Sequence, residues 1–291
     1  MYLQENKDIT DFSNFKTPAK ARYYFEINNE ADLEGLLEVV VFWKVNNLGL
    51  LFIASGTNML FAFDTYNGIV IKNNLTWWTY NNDTKVLESY SNDTISDIAE
   101  SIEKGYGQKL WHRFIGLPGS IWGAVFWNAG CFWLEAENNF VEAKVIDLEN
   151  RQVSIMSKKE MFFSYRSSIL KQKEWRYFLV SAKFDLSKKV EKYSSDVDNI
   201  HFREYKQPKG NTCGSFFKNP SREQTAGYLI EQVWLKGYKI GGASFSKLHA
   251  NFLMNDGWTY KDLLQLINLA QEKVKEKFEI DLINEVRIIT N

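Results

Sequence analysis

The sequence predicts an α+β fold in two parts, and three observations lead there. Its 291 residues exceed what one hydrophobic core usually serves. Short β-rich runs alternate with segments whose apolar residues recur at helical spacing. A polar run, Asp185 to Asn199, interrupts that pattern late in the chain and marks a domain boundary. We therefore expect one domain over residues 15–190 and a second over 200–291.

Taken in order, residues 1–20 read as a polar lead-in ending near Pro18, and Ala21–Ile27 as a short strand. Residues 29–46 place Leu33, Leu36, Leu37, Val40 and Val41 at helical spacing. The strand Leu48–Ile53, a Ser55-Gly56-Thr57-Asn58 turn and the strand Gly68–Ile71 complete an α/β unit. Residues 77–90 alternate as strands do. Thr94 caps a helix with Ile95, Ile98, Ala99 and Ile102 on its inner face, and Gly105 stops it. The stretch Ile115–Glu135 reads as turns around a small-residue run. Phe140–Leu148 and Arg151–Met156 make a hairpin around Glu149-Asn150, and Tyr177–Phe184 is a strong strand. Beyond the polar run come a helix over 225–233, a strand over 252–254, a long amphipathic helix over 261–278 and a closing strand over 285–289.

Composition excludes several classes. Charged residues make up 24% and the formal net charge is −1, which leaves no basic footprint for nucleic acid. Hydrophobic residues reach 45%, yet no apolar run approaches the ~20 residues of a membrane span. The polar start, Met1 to Asp11, lacks the apolar core of a signal peptide. Cys131 and Cys213, with three scattered histidines, supply neither a disulfide framework nor a metal site. These features suit a soluble cytoplasmic protein without metal.

Two stretches are dense in small residues. In one, Leu117-Pro118-Gly119-Ser120 leads through Gly123-Ala124 to Asn128-Ala129-Gly130; the other is the 55–58 turn. Such loops let backbone N–H groups approach a phosphate closely. No Gly-x-Gly-x-x-Gly opens a helix after the first strand, so a Rossmann site is disfavoured. With these two loops, Tyr165-Arg166-Ser167-Ser168, Gly214-Ser215-Phe216-Phe217-Lys218-Asn219-Pro220 and Glu285-Val286-Arg287 follow in order. In this the chain resembles the UDP-N-acetylenolpyruvoylglucosamine reductase family over nearly its whole length, in the shorter form without an extra tyrosine-bearing loop.

The resemblance implies a vanillyl-alcohol-oxidase-type (PCMH-like) two-part FAD-binding domain and a C-terminal α+β substrate-binding domain. It implies non-covalent FAD on Ser55, Gly56, Thr57, Asn58, Pro118, Gly119, Ser120, Gly123, Asn128, Ala129 and Gly130, with NADPH as co-substrate. It places Arg166, Ser215 and Glu285 at the catalytic positions, and Lys218, Asn219, Lys239 and Asn251 beside the nucleotide sugar. The chemistry suits those types. Reducing an enolpyruvyl ether builds negative charge toward a carboxylate, which a planar guanidinium holds well. Ser215 would then donate the proton and Glu285 orient. The product would be UDP-N-acetylmuramate for peptidoglycan. Another flavin oxidoreductase of the superfamily and an inactive nucleotide-sugar binder are the alternatives.

The tryptophans are out of place. Ten is high beside 17 glycines, and Trp122, Trp133 and Trp234 sit where the family pattern has glycine; Trp77, Trp127 and Trp258 look similar. An indole cannot hold a position chosen for close approach or positive φ without moving the loop. Either these are UGA codons of a genome that decodes them as glycine, or the tryptophans are real and FAD binding is lost.

Overall fold

The computed structural model describes residues 2–188, 190 and 198–291. It divides into two compact units: Met1–Glu5, Tyr23–Ser55 and Gly68–Ile200 form the first, and Asn6–Arg22, Gly56–Asn67 and His201–Asn291 the second. Within the 15–190 stretch, residues 15–22 and 56–67 therefore belong to the second unit. Pairing explains the latter: Met59–Phe61 lies parallel to Arg287–Ile289, in the register Met59 to Arg287 and Phe61 to Ile289. Of the polar run 185–199, residues 189 and 191–197 lie outside the described residues, so the boundary expected there does too.

In the first unit the strand Gly49–Ile53 pairs in parallel with residues 68–72 of the strand Thr65–Asn73. The helix Asp32–Asn46 buries Leu36, Val39 and Val40, while Val41 is exposed, so the buried stripe is narrower than the spacing suggested. A five-stranded antiparallel sheet runs in the order Gln152–Ser157, Phe140–Asp147, Tyr177–Asp185, Val86–Tyr90, Trp78–Asn81. Its expected hairpin forms around Glu149-Asn150, whose N–H groups both donate to the Asp147 carboxylate. The helix Ile95–Tyr106 buries Ile95, Ile98, Ala99 and Ile102 as expected, but ends at Gly107, at φ +67°, instead of Gly105.

Two readings are corrected. The lead-in is no loose polar arm: Gln4–Asp8 is a strand, and Ile9 and Phe15 are fully buried. The stretch read as turns contains a helix, Ile121–Trp127. Ser120 caps it by accepting from the Gly123 N–H at 3.3 Å, and Asn128 ends it in the left-handed conformation. Six of its seven residues are buried, so it shows no polar face and hence no amphipathic period to read.

The second unit holds a three-stranded antiparallel sheet, Lys239–Ile240, Ala243–Phe245 and Leu253–Asn255. The helix Tyr260–Phe278, capped by Thr259, buries Leu263, Leu266, Ile267, Ala270 and Val274 beneath it. The four larger side chains contribute roughly 6–12 kcal/mol at about 1.5–3 kcal/mol each before entropy is counted. Phe216 and Phe217, both buried, join the same core and fix the chain next to Ser215. Among the described residues, no helix is long and apolar enough to cross a membrane.

Candidate active site

In the first unit Ser55, the first residue of the 55–58 turn, meets the other small-residue stretch. Ser55, exposed just after the strand Gly49–Ile53, accepts a hydrogen bond at Oγ from the Ser120 N–H, 3.2 Å away. Half-buried Lys72 holds the start of the same loop: its Nζ donates to the Ala54 carbonyl at 2.6 Å. Burial pushes this lysine down to about 8, against the pull of Glu26. Gly119 has φ +137°, a conformation open in practice to glycine alone.

Gly123 gives a test of whether a ligand fits beside these loops. A β-carbon there would meet nothing nearer than Ser120 Oγ at 3.9 Å, and its φ is helical. Neither packing nor backbone demands glycine, although glycine in a helix costs about 1 kcal/mol. The half-buried space beside it suits a group from outside the chain, as a dinucleotide diphosphate would be. Other expected donors are directed inward: the Ser120 N–H at Ser55, the Gly123 N–H at Ser120, the Asn128 N–H at the Val125 carbonyl and the Ala129 N–H at the Ala124 carbonyl. These residues shape the loop and do not offer free amides. The Trp122 indole packs inward, 5.0 Å from the Phe178 ring and 5.7 Å from Phe52.

Arg166 is held with unusual care. Its backbone is left-handed, φ +55°, a conformation that costs a non-glycine residue about 1 kcal/mol or more. Its guanidinium donates to the Gly130 carbonyl at 3.1 Å, lies 4.0 Å from the Glu135 carboxylate and stacks 4.9 Å from the Tyr165 ring. Glu135 is in turn fixed by Asn128, whose fully buried amide donates to Glu135, Glu137 and the Ser164 carbonyl. Burial raises Glu135 above the usual carboxylate range; Arg166 opposes the shift and Glu137 adds to it. Gly130 must be glycine, since a β-carbon would come within 2.7 Å of Glu135 Cγ.

In the second unit, three sequence-distant pieces are knit together. The Asn58 side chain donates to the Glu285 carbonyl at 3.2 Å, and the Arg287 N–H donates to the Asn58 carbonyl at 3.1 Å. The Glu285 N–H donates to the Phe216 carbonyl at 2.7 Å, directly after Ser215. Ser215 is half-buried and bridges to Phe252, following Gly214 at φ +81°. Asn251, buried, locks this segment: its side chain both accepts from the Phe217 N–H and donates to the Phe217 carbonyl. Asn251 therefore supports the Ser215 segment. Asn219 also acts within the chain, accepting from the Ala226 N–H at the start of a helix. The Lys218 N–H donates to the Ile283 carbonyl, while Lys239 is exposed.

The structure thus unites Ser55 with Ser120 in one unit, and Asn58, Ser215 and Glu285 in the other; Arg166 belongs to the first. Sequence reasoning missed Glu135, the side-chain role of Asn128, and Lys72. A usable signal was present: Asn128, Glu135 and Glu137 are polar residues packed into an otherwise apolar stretch.

Comparison with known proteins follows the same outline. Residues 205–289 match the family model described as UDP-N-acetylenolpyruvoylglucosamine reductase, C-terminal domain. A protein of that reductase name from Chlamydia muridarum is 34% identical, covering 99% of this chain and 94% of its own. One from Caldanaerobacter subterraneus is 32% identical over 94% of this chain and 92% of its own. The crystal structure of UDP-N-acetylenolpyruvylglucosamine reductase from Thermus caldophilus superposes with a TM-score of 0.73 at 21% identity, over 99% of this chain and 100% of that one, and so shares the α+β fold.

Proposed function

The chain belongs to the UDP-N-acetylenolpyruvoylglucosamine reductase family, and from that premise we propose that it reduces UDP-N-acetylglucosamine enolpyruvate to UDP-N-acetylmuramate in the cytoplasm, a step of peptidoglycan precursor synthesis. The observation that carries this reading is the junction of Asn58, Phe216 and Glu285, which joins a cofactor turn, the Ser215 segment and the last strand across 227 positions of sequence.

Ser55, Gly56, Thr57 and Asn58, with Pro118, Gly119 and Gly123, would hold FAD without a covalent link. Bound FAD supplies hydride drawn from NADPH. The chain's own residues do the rest. The Arg166 guanidinium holds the substrate carboxylate and offsets the charge that builds toward it. Ser215 Oγ gives its proton to the carbon next to that carboxylate. Glu285 orients the reacting group from the strand end. Lys218 and Lys239 neutralise the nucleotide diphosphate, and Asn251 keeps the Ser215 segment in register.

The test is direct. The purified protein mixed with FAD and then desalted should stay yellow, and should oxidise NADPH only when the enolpyruvyl substrate is added. A protein that keeps no flavin after desalting sinks the reading. Arg166→Ala should keep FAD and lose turnover; unchanged turnover would contradict the role given to the guanidinium.

A further inference from the structure

Three tryptophans stand in backbone conformations made for glycine, in three different kinds of turn. Trp133 has φ +66°, Trp175 +67° and Trp234 +61°. Thirteen non-glycine residues among those described have positive φ, and three of them are tryptophan, although the chain holds only ten tryptophans. Asparagine visits this region at little cost because it is short and polar; an indole on a β-carbon does not.

Each turn has a specific demand. Gly130–Cys131 and Leu134–Glu135 pair as a hairpin whose two-residue loop is Phe132-Trp133, with φ +48° and +66°. That is the mirror-image turn of tight hairpins, whose second place is glycine's. At Trp175, the Arg176 N–H closes a four-residue turn on the Lys173 carbonyl at 3.1 Å. The positive φ falls on the third residue, again the glycine place. At Trp234, the helix Ala226–Gln232 ends with the Trp234 N–H on the Glu231 carbonyl and the Leu235 N–H on the Ile230 carbonyl. This double closure is the Schellman motif, and its left-handed residue is usually glycine.

The side chains offer no counterweight of burial. Trp234 is 87% exposed, Trp133 62% and Trp175 47%. Trp111, by contrast, is 1% exposed, edge-on to Phe114 and Phe184, with its indole N–H directed at Asn139. Trp43 donates from its indole to the Leu48 carbonyl at 2.7 Å. Trp111 and Trp43 thus carry directed indole hydrogen bonds, whereas Trp133, Trp175 and Trp234 sit exposed on left-handed backbone.

We propose that positions 133, 175 and 234 are glycine in the working protein, inserted at UGA codons that its own translation machinery decodes as glycine. The inference holds whatever reaction the site performs. At position 133 it also bears on the site, because that turn sets the spacing of Gly130 and Glu135, the two anchors of the Arg166 guanidinium.

The protein isolated from the organism that makes it, digested and read by mass spectrometry, tests this. Peptides across 133, 175 and 234 should each be lighter by the difference between an indolylmethyl group and a hydrogen, and the three codons should be UGA. Tryptophan in any of the three peptides, or UGG at any of the three codons, overturns the proposal. Recombinant chains add a check on the physical argument. Trp133→Gly, Trp175→Gly and Trp234→Gly together should raise the melting midpoint, with the folding equilibrium gaining roughly threefold or more per position after the added freedom of the unfolded chain is subtracted. No gain would overturn the claim that these backbones are strained by tryptophan.

Discussion

Replacing Glu135 by glutamine keeps the shape of the side chain, and its hydrogen bond from Asn128, while removing the charge beside Arg166. At 4.0 Å and an effective dielectric near 20, the attraction between the two charges is about 4 kcal/mol before any cost is subtracted. Glu135 is itself raised by burial despite Arg166, so desolvation outweighs that attraction, and solvent reaching a third of the side chain weakens it further. The fold should therefore not miss the carboxylate: a group whose folded-state pKa is raised contributes a burial penalty at neutral pH, and that penalty fades as pH falls through the raised pKa. Glu135→Gln should melt at or slightly above the parent at neutral pH. The guanidinium, however, loses its charged neighbour while keeping the Gly130 carbonyl and the Tyr165 ring. An anchor of about 1.4 kcal/mol corresponds to tenfold in kcat/KM, carried mainly in KM for the enolpyruvyl substrate. Steady-state NADPH oxidation with FAD content and melting measured in parallel gives all three quantities. Parent-level kcat/KM, or a loss of FAD together with the activity, would refute the idea that Glu135 acts by positioning Arg166.

Other outcomes follow from the same geometry. Lys72, lowered by burial, binds fewer protons folded than unfolded between about 8 and its ordinary value, so stability of the parent should rise with pH across that window; Lys72→Met should flatten the slope and weaken FAD retention by releasing the Ala54 carbonyl, as melts at several pH values and flavin absorbance would show. Ser215→Ala should bind FAD normally and lose about 10²–10⁴-fold in turnover, and a smaller loss measured by NADPH oxidation would remove Ser215 as proton donor. Asn251→Ala leaves the Phe217 N–H and carbonyl without their partner and should cost about 2–4 kcal/mol in urea unfolding, with turnover falling as the Ser215 segment loosens.

Much of the architecture was legible because its periodicities are strong. The helix Ile95–Tyr106 buries the four residues its spacing named, and the hairpin closes around Glu149-Asn150 as the two strand segments placed it. The helix Ile121–Trp127 was not legible, since a helix buried on nearly all sides carries no polar stripe and its glycine and alanine resemble loop composition. The buried lead-in residues Ile9 and Phe15 escaped notice for the opposite reason: single apolar residues among polar ones form no pattern. Arg166, Ser215 and Glu285 came from the resemblance, and the chemistry an enolpyruvyl ether requires suits their types. Polar residues in an apolar stretch flag Asn128 and Glu135, but which group each support meets, as with Asn251 and Phe217, depends on how the backbone folds back on itself.

The parallel pairing of Met59–Phe61 with Arg287–Ile289 has a consequence for biogenesis. A nascent polypeptide emerges from the ribosome in order, so the segment around Asn58 must wait for almost every later codon to be translated before its neighbour exists. Such a long-range closure is slow and leaves that early segment without its strand partner throughout synthesis. A premature stop only a few codons before position 287 would thus disable a loop specified more than two hundred codons upstream.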